Sequence, residues 1–85
     1  METFVQKLKR MLRREFPKCS FDLETGRGDR LSGYLIWKGF SGVEQIERQR
    51  TLSAFLKANL SDDERRHIAG ILTMTPEEVA FAKQA

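Results

Sequence analysis

Apolar side chains recur at helical spacing at the start of the chain. Phe4, Val5, Leu8, Met11, Leu12 and Phe16 fall on one side of a helical wheel, and Arg10, Arg13 and Arg14 fall on the other. This predicts an amphipathic first helix, ended by Pro17. The period then shortens to two: Cys19, Phe21 and Leu23 alternate with Ser20, Asp22 and Glu24, the pattern of a half-buried strand. A glycine-rich turn over residues 26–30 leads to a second, more apolar strand over 31–38, which contains Tyr34, Ile36 and Trp37. The two strands are expected to pair as an antiparallel hairpin.

Three later segments share a helix-start signal, in which a hydroxyl side chain caps the exposed amides and a glutamate three residues on reaches back to the cap. They are Ser41 with Glu44, Ser61 with Glu64, and Thr75 with Glu78. Pro76 strengthens the last, because a first helical position has no use for the amide hydrogen that proline lacks. The expected helices run over 42–59, 61–65 and 76–83. A strand over 67–73 is supported by the β-branched Ile68, Ile71 and Thr73 and weakened by Gly70. The order is α-β-β-α-α-β-α, an α+β fold in a single domain over residues 1–85. On the long middle helix Leu52, Phe55, Leu56 and Leu60 define the buried side. Arg48 falls near it, with its stem along the core edge and its guanidinium at the rim. Arg50 points away in company with Val43 and Ile46, a combination suited to a partner surface.

A chain of 85 residues buries roughly 60% of its unfolded surface and has no room for a large enclosed pocket. No apolar run nears the roughly 20 residues of a membrane span, and no secretory pattern is present. The single cysteine excludes an internal disulfide, so a reducing, cytoplasmic setting is expected. Basic charge is concentrated in residues 1–18, where Lys7, Lys9, Arg10, Arg13, Arg14 and Lys18 face Glu2 and Glu15 alone.

Candidate chemistry is sparse. His67, the one histidine, stands at the entrance of the last strand and offers the chain's best lone pair for a soft or borderline metal; solvation or a backbone hydrogen bond is the simpler role. The stretch Gly39-Phe40-Ser41-Gly42 reads as a glycine-assisted strand-to-helix turn, or as a G-x-x-G phosphate clamp. Arg27-Gly28-Asp29 is turn chemistry. Cys19 lacks nearby bases that would lower its pKa and reads as a half-buried strand cysteine. No glycine-framed serine, second histidine or other catalytic constellation emerges, so the chain is not expected to be an enzyme or to take a small-molecule substrate.

Phe40-Ser41-Gly42, Arg48-Gln49-Arg50, and His67 ahead of Thr75-Pro76-Glu77-Glu78 together resemble the BolA-like family. In that family an F-x-G turn leads into a helix carrying R-x-R, and a histidine begins the last strand before a T-x-x-E helix start. The likeness covers most of the chain. It implies a fold related to type II KH domains, with helices packed on one face of a three-stranded sheet. It also implies a non-enzymatic adaptor or regulator that acts with a monothiol glutaredoxin in iron-sulfur or redox homeostasis. No cofactor is expected on the chain alone; an iron-sulfur cluster shared with the glutaredoxin is, with His67 as metal ligand. The family's second ligand, a cysteine or histidine, comes from the loop between the first two strands, and residues 26–30 contain neither. Cys19 is a poor substitute, roughly 20 Å of extended chain from the turn.

The first functional expectation is therefore this adaptor, with Val43, Ile46 and Arg50 as partner surface near His67. The alternative is a DNA- or RNA-binding transcriptional regulator that uses Lys38, Gly39, Phe40, Gly42, Arg48 and Arg50, or the basic first helix. Tyr34 and Trp37 have opposite parity on their strand, so they cannot form one stacking platform for bases.

Overall fold

The computed structural model describes residues 1–84. Its elements follow the expected order: helix α1 (Phe4–Glu15), strands β1 (Ser20–Thr25) and β2 (Leu31–Ile36), helices α2 (Gln45–Asn59) and α3 (Asp62–Arg66), strand β3 (Ile68–Met74) and helix α4 (Pro76–Gln84). Thr3 opens α1 with a capping box. Its hydroxyl accepts from the Gln6 amide, and the Gln6 side chain accepts from the Thr3 amide.

The sheet order is β1-β2-β3. β1 and β2 form the antiparallel hairpin, with Thr25 opposite Leu31 at its closed end and Ser20 opposite Ile36 at its open end. β3 runs parallel to β2, from Ile68 opposite Leu31 to Met74 opposite Ile36, after a bulge at Ala69. Parallel pairing needs a long crossover, and α2 and α3 supply it.

Alternation along the strands sorts the side chains by face. Leu31, Leu35, Ile71 and Thr73 are buried, and the three aliphatic side chains meet Leu8, Leu12 and Phe16 of the first helical segment and Leu52 of α2 in one core. The helices thus pack on one face of the sheet. The interior closes around aromatic edges: Phe16 lies 5.0 Å from Trp37, 5.7 Å from Phe40 and 5.7 Å from Phe55 between ring centroids. Trp37 donates its indole hydrogen to the Pro17 carbonyl at 2.9 Å. Gly33 in β2 has φ +150°, and a Cβ there would run into the backbone of Asp22 and Leu23. The close approach of β1 and β2 therefore requires glycine.

Three expectations are corrected. β2 ends at Ile36 rather than at residue 38, because Lys38–Phe40 wind into a 3₁₀ turn that drops Phe40 into the core. α2 starts at Gln45 rather than at 42, and Ser41 does not cap it. Ser41 closes the 3₁₀ turn, Gly42 takes φ 79°, and the extended Glu44 stands at the helix entrance without a side-chain cap. Val43 consequently belongs to the turn and not to the helix. His67 is the C-cap of α3, with helical backbone angles, one position before β3 begins.

Candidate functional site

His67 is exposed at the end of the sheet where the hairpin closes. Its backbone is fixed on both sides. The amide donates to the Glu64 carbonyl at 3.1 Å, and the carbonyl accepts from the Leu31 amide at 2.6 Å. The imidazole lies against Phe4, with ring centroids 6.1 Å apart and planes at 52°. Among the described residues no group hydrogen-bonds to either ring nitrogen, and the residue is exposed. His67 shares a shallow recess of about 280 Å³ with Phe4, Thr25, Asp29 and Leu31.

The local frame explains this display. Ser61 and Glu64 form a complete capping box at the start of α3. Glu64 also accepts from Lys7 Nζ at 2.7 Å, which ties the start of α1 to α3 and holds Phe4 beside the imidazole. The Lys7 hydrogen bond, followed by that from the Ser61 amide, keeps the Glu64 carboxyl below its ordinary pKa. Asp29 reaches the same recess from a loop residue with φ 57°. The family resemblance brought the 26–30 loop toward His67, but nothing in the sequence indicated Phe4 as its neighbour, since the contact between α1 and α3 is non-local.

The other expected site residues lie elsewhere. The Gln45 side chain donates to the Thr73 carbonyl at 3.0 Å and that of Gln49 to the Ile71 carbonyl at 3.4 Å, so α2 runs antiparallel to β3. The start of α2 is therefore at the Thr73 end and His67 at the Ile68 end, about 17 Å away at 3.3 Å per strand residue. Residues 42–50 are not beside His67, contrary to expectation. Val43, Ile46 and Arg50 are all exposed, and Arg50 pairs with Glu47 at 2.8 Å. Phe40 is buried, and Arg48 points inward: its Nε donates to the Val43 carbonyl at 2.7 Å, and Nη1 and Nη2 donate to Glu78 at 2.7 and 3.2 Å. Neither is displayed to a phosphate. Lys38, Gly39 and Gly42 remain exposed on the turn. Cys19 is half-buried, with Sγ 3.7 Å from the Leu12 carbonyl. Burial raises its thiol pKa, and it adjoins Ser20 at the opposite end of the hairpin from His67.

A small mixed sheet with helices on one face and an exposed histidine at the entrance of the parallel strand defines a module of the BolA-like fold. The comparisons agree. BolA1 from Arabidopsis thaliana superposes with a TM-score of 0.73 at 20% identity, over 92% of this chain and 98% of that one. A Bol-like protein from Babesia bovis superposes with a TM-score of 0.55 at 22% identity, over 92% of this chain and 90% of that one. No family model and no curated protein matches the sequence. At these identities the likeness establishes the fold.

Proposed function

We propose that the chain is a non-enzymatic BolA-like adaptor, which docks a monothiol glutaredoxin at the hairpin end of its sheet and contributes His67 to an iron-sulfur cluster held between the two proteins. The observation that carries this reading is the exposed side chain of His67, held by backbone hydrogen bonds on both sides and with no hydrogen-bond partner for its ring nitrogens among the described residues. Iron-sulfur clusters take thiolate ligands and accept imidazole in place of cysteine. The donor set fits one coordination position: His67 is available, Cys19 is at the other end of the hairpin, and among the described residues no three His, Cys, Asp or Glu side chains are grouped to hold a metal ion. The other ligands are then the partner's. When bound, the cluster supplies visible absorption and redox chemistry; this chain's residues orient the imidazole and shield one side of it with Phe4.

Mixing the protein with a cluster-loaded monothiol glutaredoxin is expected to change the visible absorption and circular dichroism of the cluster. His67→Ala removes the change while altering folding stability by less than about 0.5 kcal/mol, because the side chain is exposed. Identical spectra for the wild type and His67→Ala would overturn ligation by His67.

Nucleic-acid binding is less well supported, because Arg48 and Phe40 are turned into the protein. Among the described residues no helix is long and apolar enough to cross a membrane.

A further inference from the structure

The sheet face opposite the helices has an unusual composition. In register, its rows are Ser20–Ile36–Met74, Asp22–Tyr34–Leu72 and Glu24–Ser32–Gly70. A sheet face turned to water normally carries polar side chains. Here Tyr34 and Leu72 are cross-strand neighbours, 41% and 56% exposed, and the half-buried pair Ile36 and Met74 continues the strip along the same two strands.

Charge on this face is one-sided. The chain has fifteen lysines and arginines and a net charge of +3, yet none of those cations is among these nine positions. Asp22 and Glu24 are there, both on β1 and flanking the apolar strip, and neither has an ion-pair partner among the described residues. At the Glu24 end the face sinks into a recess of about 290 Å³ bounded by Glu24, Ser32, Tyr34, Gly70 and Leu72. Gly70 leaves it open, since a Cβ at that position would meet nothing within 4 Å.

From this geometry we infer that the helix-free sheet face is a second protein-docking surface, for a partner segment that presents apolar side chains together with arginine. The apolar side chains cover Tyr34 and Leu72. An arginine enters the recess, lays its guanidinium plane along the Tyr34 ring and pairs with Glu24. Complementary charge selects the partner: an anionic ligand is repelled by Asp22 and Glu24. A second copy of this chain docked face to face is a poor occupant, because both copies present the same Asp22 and Glu24 carboxylates and no cation from this face. The surface is independent of His67, and its failure would leave the adaptor reading untouched.

The probe is an amphipathic leucine-arginine peptide of about 18 residues, long enough to form a helix, titrated into the isotopically labelled full chain. Amide shifts are expected at Asp22, Glu24, Ser32, Tyr34, Gly70 and Leu72. Leu72→Lys, a charge that an exposed edge strand tolerates, weakens binding about tenfold by removing a central apolar contact and repelling arginine. Glu24→Gln weakens it about threefold, the scale of one exposed ion pair. Tyr34→Ser gives a second loss of the apolar strip should Leu72→Lys disturb the sheet. A matched peptide with glutamate in place of arginine does not bind. Shifts centred on the helices or on His67, unchanged affinity in Leu72→Lys and Tyr34→Ser, or equal binding of the glutamate peptide would overturn the inference. Peptide-free shifts on this face that grow with protein concentration would also overturn it, because they assign the face to self-association.

Discussion

Arg48 carries a full charge on a side chain only 8% exposed, and its local surroundings make that burial tolerable. The Val43 carbonyl and both oxygens of Glu78 receive its guanidinium hydrogens, and its Cζ lies 5.9 Å from the centroid of the Phe40 ring. Helical spacing put its stem at the core edge, but no local pattern could pair it with a glutamate 30 positions away. Arg48 in turn lowers the pKa of Glu78, with the Thr75 amide adding to the effect. A carboxyl whose folded pKa is depressed stabilises the fold above its unfolded value and loses that contribution as pH falls through the folded one. Glu78→Gln is therefore expected to be less stable than the wild type at neutral pH, by about 1 kcal/mol, because the guanidinium is buried but the Glu78 side chain is 45% exposed and solvent screens the pair. The gap narrows as pH falls below the 4.5 of an ordinary glutamate. Urea unfolding of both proteins across the acid range measures it, and a gap that stays constant contradicts this role for the pair.

At the scale of elements, helix starts were legible wherever the capping signal is purely local. Ser61 and Thr75 form the reciprocal bonds that their spacing predicts. Ser41 has the same spacing to Glu44 and forms none, because burial of Phe40 and the positive φ of Gly42 redirect the chain before the helix can begin. A tertiary demand thus overrides a local preference. The Gln45 and Gln49 contacts to β3 were also beyond the sequence pattern, since they depend on where the crossover lands. The cap difference is measurable: Ser61→Ala and Thr75→Ala each cost about 1 kcal/mol, while Ser41→Ala costs less than about 0.5 kcal/mol as an exposed residue without a capping bond. Equal losses at Ser41 and Ser61 in chemical denaturation would contradict the observed helix start.

For the whole molecule, the two periodicities sufficed for element order and for the hairpin, because each reports which side chains must leave water. The parallel attachment of β3 and the direction of α2 arise from chain closure over residues 37–67 and leave no periodic trace. That is why residues 42–50 were wrongly expected beside His67, whereas its place near the hairpin tip followed from the family resemblance. The exposed surface at the hairpin end is separate from that at the start of α2, and the proposed adaptor docks the glutaredoxin at the first. The most direct measurement is an NMR titration of the labelled chain with a monothiol glutaredoxin, following every backbone amide. Docking at the hairpin end predicts shifts concentrated at Phe4, at residues 25–31 and at His67 and Ile68. Shifts centred on Val43, Ile46 and Arg50 instead, or no response at all, would contradict it.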